Sequence, residues 1–458
     1  MRFYSFNHRS LCSLAIVTFA AATAATCAAA EEPSSPQPPA VSFSREVAPL
    51  LIKHCLACHN PRKAEGGYRV DCYAVVAAAG DSGLSPLQAE GDDSAELIRR
   101  ICSNDESERM PAETTPLDEA TIAVFTRWID AGGSFDGSDE TLPLAQLIPP
   151  PTHPASPEVY PAALPVTAVA FSADGKEIYS SGYHELLVWN LDGTLSRRIG
   201  NLGERIYDIE VSPDGSLLAV ACGQAGREGE VRIVALAGDA PHSVTSIPIR
   251  LDDVVLDSAF SPDGKLLVCG SADKAVRFVD LSSGEVATVL QSHAEQVTAV
   301  AFCTDGSKMA TASRDGSSKV FDTATGQLLV SYQGHAGPVR GVAMPGDGTQ
   351  VFSSGDDKKL HRWNVADAKK TAEIALGGEG FGIVASPDAL WATSADGQLR
   401  RVALADNAVQ VFTGHTDWAL CTALSRDGTY AVTGSHNGEV RLWNTSDAST
   451  IVAWQARP

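Results

Sequence analysis

Cys55-Leu56-Ala57-Cys58-His59 is the stretch on which the N-terminal part of the chain turns. Two thiols three positions apart on a helical turn can bond the two vinyl groups of one porphyrin. The next residue, His59, then lies under the ring and offers an imidazole to the iron. A C-x-x-C-H run therefore reads as covalent attachment of one haem c, with thioethers at Cys55 and Cys58 and His59 as proximal ligand. A zinc site or a structural dithiol would use the same atoms. Zinc, however, calls for a second Cys/His pair at ligand spacing, and Cys72 and Cys102 stand isolated.

Working outward, residues 44–59 read as one helix. Ser44 can cap it, Glu46 suits its first turn, Pro49 sits early, and Val47, Leu50 and Leu51 share a face. Thr115-Pro116-Leu117-Asp118 opens a second helix that runs to a stop at Gly132-Gly133, with Ile122, Phe125 and Ile129 on one stripe. A third helix over residues 94–102 carries Leu97, Ile98 and Ile101. Three short helices suit a unit over residues 43–137 whose core is partly filled by a flat cofactor. Of the four methionines in the chain, only Met110 lies in this unit. It precedes Pro111, which stiffens the loop, and a thioether there can serve as the distal iron ligand. The alternative is a core filler. Cys72 and Cys102 are read either as a disulfide or as two buried thiols.

The setting comes from the N-terminus and from the charge. Arg2 and Arg9 precede an apolar run over residues 11–22, and Ala28-Ala29-Ala30 offers a cleavage site, so residues 1–30 read as a signal peptide. Residues 31–42 form a disordered leader. Cys27 lacks the leucine that leads a lipoprotein box, and the apolar run barely reaches spanning length, which argues against a lipidated or uncleaved anchor. The expected location is periplasmic or otherwise exported. With 35 Lys plus Arg against 56 Asp plus Glu, the net charge is −21, which argues against nucleic acid and anionic membrane as partners.

After residue 137 the character changes. Residues 138–165 hold eight prolines and read as an extended, semi-rigid linker that keeps two folded bodies apart. From residue 166 to 458 the chain repeats. Turn signals stand at Asp174, Asp214, Asp263, Asp305, Asp347, Asp388 and Asp427, at intervals of 40, 49, 42, 42, 41 and 39 residues. Each lies among short alternating strands such as Val440-Arg441-Leu442-Trp443-Asn444. A period near forty with four strands predicts a seven-bladed β-propeller. The long second interval suggests an inserted loop near residues 223–230. Residues 450–454 would finish the last blade, with part of 155–165 as the alternative latch. Cys222, Cys269, Cys303 and Cys421 read as buried thiols inside strands.

Two resemblances follow. Residues 43–137 resemble the c-type cytochrome domain abundant in Planctomycetes. The motifs are Val47-Ala48-Pro49-Leu50-Leu51, the Cys55–His59 run, Gly66-Gly67-Tyr68-Arg69-Val70-Asp71, Gly80-Asp81-Ser82-Gly83, Met110-Pro111 and Trp128-Ile129-Asp130-Ala131-Gly132. The resemblance implies haem c with His59 proximal and Met110 distal. Ala112 departs from a common second proline, and Glu90-Gly91 from a Pro-Gly pair. Residues 166–458 are similar to WD40 repeats, through Gly334-His335, Gly414-His415, Ser292-His293, and Trp189, Trp363 and Trp443, each followed by Asn. In that family His, Ser/Thr, Asp and Trp form a buried structural network, which His335, Asp357 and Trp363 can complete. Phe321 and Asn437 depart from it.

The fold class expected is thus multidomain, a small all-α cytochrome c domain followed by an all-β seven-bladed WD40-like propeller. The function expected is one-electron transfer by an exported monohaem cytochrome, with the propeller contacting a redox partner protein. A haem-linked redox enzyme is the first alternative. A redox or gas sensor is the second, and it requires Met110 to leave the iron. The repeats show no Ser/His/Asp order, second haem motif or His cluster, so no catalytic residue is assigned.

Overall fold

The computed structural model describes residues 41–89, 94–112, 114–137, 139–149, 152–236, 244–251 and 253–458. The signal peptide, nearly all of the leader and Glu90-Gly91 lie outside the described residues.

The first body is helical. A π-type turn over Phe43–Val47 runs into α1 (Ala48–His54), and α2 (Tyr73–Val76), α3 (Glu96–Ile101), α4 (Glu119–Asp130) and α5 (Leu144–Leu147) follow. The single helix expected over residues 44–59 is therefore broken. Pro49 has no N–H for an i→i−4 bond, so the regular helix starts around it. The opening cap is Ser42, whose Oγ accepts from Arg45 N, rather than Ser44. The cap of α4 is Asp118, accepting from Thr121 N at 2.7 Å, rather than Thr115. Leu117 is buried just ahead of that cap. Phe43, Leu51, Val70, Phe125 and Trp128 form the centre of the core, with Phe43 edge-on to Tyr73 at 5.0 Å.

Leu144 and Leu147, placed by sequence in the linker, belong to this same core. The i,i+3 spacing of these leucines buries both on one face of α5, and Cys72 pairs with Pro143 in a β-bridge. Farther on, His153 N bonds Asn201 Oδ1 at 2.9 Å, and Tyr160 is buried with its hydroxyl on Glu185. Helix α5 also lies against the last strand of blade 2 (Val244–Leu251). The prolines do not hold two bodies apart. The segment between them is packed at both ends. Cys72 and Cys102 are both free thiols, the first buried and the second exposed, so neither the disulfide nor the paired-burial reading holds.

The second body is a ring of seven four-stranded antiparallel sheets. Blade 1 spans 169–199, and blades 2 to 7 span 205–251, 255–290, 297–332, 339–375, 380–413 and 419–455. The first strand of each blade contacts the first strand of the next, and that of blade 7 returns to blade 1, so these strands form the inner ring. Blade 7 is completed by its own Thr450–Gln455, and no strand is borrowed for closure. Val166 N donates to Ser435 O at 3.0 Å, and Trp189 meets Trp454 across the join.

Local chemistry explains the period. Within blade 1, Ser172 Oγ donates to Asp174 Oδ1 at 2.7 Å and accepts from Glu177 N at 2.9 Å, closing a turn over Gly175 at φ 69°. Ser212–Asp214, Ser261–Asp263 and Ser425–Asp427 repeat it. Cys303 takes the serine's place in blade 4, in the turn rather than in a strand, with Sγ 3.0 Å from Asp305 Oδ1. The long second interval is not a loop at residues 223–230. Blade 2 has eight-residue strands, Leu217–Gln224 and Glu228–Ala235, joined by a short turn.

Candidate functional site

Helix α1 ends by placing the thiol pair in a turn. Cys55 N and Leu56 N both donate to Leu51 O at 2.9 Å, and the backbone then leaves the helix at Cys55. Cys58 N and His59 N both return to Cys55 O, at 3.2 and 3.1 Å, so the two cysteines and the histidine share one tight turn. Asn60 clamps it from both sides. Its Nδ2 donates to Leu56 O at 3.1 Å, and its Oδ1 accepts from Arg62 N and Lys63 N.

The His59 ring is oriented by a backbone group. Its Nδ1 lies 3.2 Å from Tyr68 O. A carbonyl only accepts, so Nδ1 carries the proton and Nε2 keeps a free lone pair, the tautomer an iron ligand needs. Tyr68 is fixed in turn through its hydroxyl, which donates to Val76 O at 2.9 Å, and its ring meets the imidazole edge-on at 5.5 Å. Val70 N donates to His59 O at 2.9 Å and ties the two strands of the turn together.

Both thiols are free. Burial, with Cys58 beside it, pushes the Cys55 thiol up to about 12, so it is protonated at neutral pH and resists oxidation. Lys63 Nζ stands 3.6 Å from Cys58 Sγ and pairs with Glu65 at 2.8 Å.

Met110 arrives on the segment after α3. It is half-buried, and its N donates to Arg100 O at 3.1 Å. The loop ahead of it is tethered by ion pairs, Arg99 to Glu96 at 2.6 Å and to Glu108 at 2.7 Å, and Arg100 to Glu96 at 2.8 Å. Between that loop and Met110 stands Arg109, whose buried Nε has no hydrogen-bond partner. Two free thiols and an imidazole held through Nδ1 in one turn, with a half-buried thioether on the later loop, fit haem c, which would offer vinyls to the thiols and an iron to the imidazole and thioether.

Tyr68 and Arg109 escaped the sequence reading. The first acts through a carbonyl that any residue would supply. The second adjoins Met110 but looks like any surface arginine.

In the propeller, His335, Ser353, Asp357 and Trp363 form the expected network. His335 Nδ1 meets Asp357 Oδ2 at 2.9 Å, its Nε2 meets Ser353 Oγ at 2.9 Å, and Trp363 Nε1 donates to that hydroxyl at 3.3 Å. His293 bonds Asp315 and Thr311 in blade 4 without a Trp. In blade 7, His415 bonds Thr433 at 2.6 Å, and Glu439 stands in for the missing Asp, 2.8 Å from Nδ1. The sequence reading of no histidine cluster is corrected in one place, since His361 stacks on His335 at 3.9 Å with 15° between the rings. With Asp357 the pair has the donor count of a metal site. Near-parallel rings, however, cannot point both lone pairs at one ion. Asp357 Oδ2 is also already taken by His335 and Ala336 N. This cluster is structural.

A thiol pair and an imidazole in one half-buried turn of a helical domain, followed by a seven-bladed ring with His–Ser–Asp–Trp networks, is the pattern of a cytochrome c-like domain ahead of a WD40 propeller. Residues 55–113 match the family model described as Planctomycete cytochrome C. Residues 249–280, 284–322, 326–364 and 406–444 match the WD domain, G-beta repeat. The chain thus carries a planctomycete cytochrome c domain and WD40 repeats, and blade 1, most of blade 2 and the first three strands of blade 6 complete the ring outside the matched stretches. No curated protein matches the chain. Among the described residues, no helix is long and apolar enough to cross a membrane.

Proposed function

We propose that the protein is an exported one-electron carrier, holding one haem c through Cys55 and Cys58 with His59 and Met110 on the iron, and that its propeller docks a redox partner protein. The observation that carries this reading is the His59 ring. Its Nδ1–H is tied to Tyr68 O while Nε2 stays open beside two free thiols. Bound haem supplies a single Fe(III)/Fe(II) couple. The chain's own residues do the rest. Tyr68 O fixes the imidazole, and the Arg99 and Arg100 ion pairs hold the loop that carries Met110. Two protein ligands leave no open iron position, which favours electron transfer over substrate chemistry. Export rests on the signal-like residues 1–30. Docking is supported by the breadth of the WD40 rim and by Trp418, 45% exposed beside Phe381.

The test is to express the full chain with its leader in a host that matures cytochromes c. A periplasmic product with one covalent haem, whose reduced form ignores carbon monoxide and exchanges electrons with a small soluble cytochrome, is expected. Ready carbon monoxide binding by the reduced protein would overturn the carrier reading in favour of a sensor or enzyme.

A further inference from the structure

The hairpin between the third and fourth strands turns at the outer edge of each blade. In blades 4 to 7 its tip faces water. Ala324-Thr325, Ala366-Asp367, Ala405-Asp406 and Ser446-Asp447 are exposed, and so are Gln327, Lys369, Ala408 and Ser449, each just after a residue with positive φ. Blade 3 departs from this pattern. Between its strands Val276–Asp280 and Val286–Leu290, Ser283 and Glu285 are half-buried and Gly284, at φ 73°, is buried.

The helical domain lies against this side of the ring, since α5 packs on the last strand of blade 2, the neighbouring blade. Leu144 N of α5 donates to Asp71 O at 2.9 Å, and Val70 N donates to His59 O at 2.9 Å, so one segment joins α5 to the Cys55–His59 turn. Arg62 belongs to the same turn. Its N donates to Asn60 Oδ1 at 2.9 Å, while Asn60 Nδ2 donates to Leu56 O and Ala57 O. The side chains of both arms act on the blade 3 hairpin through space. Burial, then the like charge of Asp71, raises the Glu285 carboxyl, and Arg62 opposes them. The Ser282 hydroxyl holds the Asp280 carboxyl down, and Arg62 adds to it. The neighbouring cations are taken, Lys63 by Glu65 and Arg69 by Asp71. Arg62 is therefore the charge that lets an acidic hairpin and the Asp71 arm lie side by side.

We infer that the Asp280–Glu285 hairpin of blade 3 is the propeller's docking surface for the haem-binding turn of its own chain, and that Arg62 is the residue it holds. The contact itself needs no cofactor; only its consequence rests on the haem reading above. With haem bound, this flank of the turn faces the propeller, and an outside redox partner approaches from another side. Charges that attract without a direct ion pair are screened by salt, with a screening length of about 10 Å at 0.1 M and about 3 Å at 1 M.

The test uses the full chain, haem-free and haem-loaded, as wild type, Arg62→Glu, Arg62→Lys and, as a control, the exposed Lys53→Glu on α1. Hydrogen exchange is followed by mass spectrometry in two propeller hairpins, residues 280–290 of blade 3 and residues 322–332 of blade 4. Local opening sets the exchange rate. At low salt, Arg62→Glu should speed exchange over 280–290 about two- to fivefold, the size of a surface charge interaction. Arg62→Lys and Lys53→Glu should match wild type there, and residues 322–332 should not change in any variant. In about 1 M salt the difference should vanish. Exchange over 280–290 in Arg62→Glu that overlays wild type at low salt overturns the inference. So does an equal rise over 322–332, an equal effect of Lys53→Glu, or a difference that survives high salt. A wild type that takes no covalent haem sinks the haem reading alone, because the haem-free comparison still decides the contact.

Discussion

Asp208 and Glu210 on the inner strand of blade 2 and Asp257 on that of blade 3 are half-buried, and none pairs with a cation among the described residues. Each joins its blade to the next. Asp208 Oδ2 accepts from Ser258 Oγ at 2.8 Å, Glu210 Oε2 from Phe260 N at 2.9 Å, and Asp257 Oδ2 from Val300 N at 2.6 Å. Burial first, and then their neighbours' charge, raises Glu210 and Asp257 well above the usual carboxylate range; burial brings Asp208 to about 6. For Asp208 that is about two units above its ordinary value, or about 3 kcal/mol at 1.4 kcal/mol per unit. The sign follows from which state holds the proton. The folded chain keeps it up to about pH 6, while the unfolded chain releases it near 4. The stability this group contributes is therefore complete below about pH 4 and lost as pH rises through 6. Asp208→Asn keeps an oxygen for Ser258 and removes the charge. It should leave stability unchanged at pH 4 and raise it by about 1–3 kcal/mol at pH 7.5, the lower figure allowing for water reaching a half-buried group. Urea unfolding of both proteins at pH 4, 6 and 7.5, with matching m values, measures this. A difference independent of pH, or a destabilised variant at pH 7.5, would refute the reasoning.

Three further outcomes are expected. His335→Gln breaks bonds to Asp357 and Ser353 in a buried network and should cost about 2–3 kcal/mol in urea unfolding, with little effect on haem content. Leu144→Ala removes a side chain only 1% exposed from the helical core; a loss of about 2–5 kcal/mol confined to that domain, with lowered haem occupancy, is expected from calorimetry. In haem-free protein at pH 7.5, iodoacetamide should alkylate exposed Cys102 well before Cys55, whose thiol is held protonated to about 12, as read by peptide mass mapping.

The repeat was plainly legible because every blade restates a turn aspartate at a spacing near forty, five of the seven in a Ser-x-Asp turn, and four strands per period leave seven blades. The thiol turn was equally plain, since its chemistry is carried by residue types at fixed positions. What escaped was of three physical kinds. Backbone groups have no residue signature, which hid the Tyr68 carbonyl. Competing caps are decided by packing: Leu117 buries ahead of the helix, so Asp118 and not Thr115 becomes the cap. Proline content outweighed the Leu144/Leu147 spacing, so a core helix was read as spacer. The acidic trio was in fact visible. Asp208 and Asp257 stand four residues before the turn serine, where the other blades have Ala168, Ala299, Gly341, Gly382 and Cys421.

The central claim, an iron closed by His59 and Met110, is tested most directly by the visible spectrum of the exported, haem-loaded protein, oxidised and reduced, beside Met110→Ala. The account predicts a low-spin wild type with a sulfur-to-iron band that Met110→Ala loses, and no carbon monoxide binding until that methionine is removed. A high-spin wild type, or one whose band survives Met110→Ala, would contradict it.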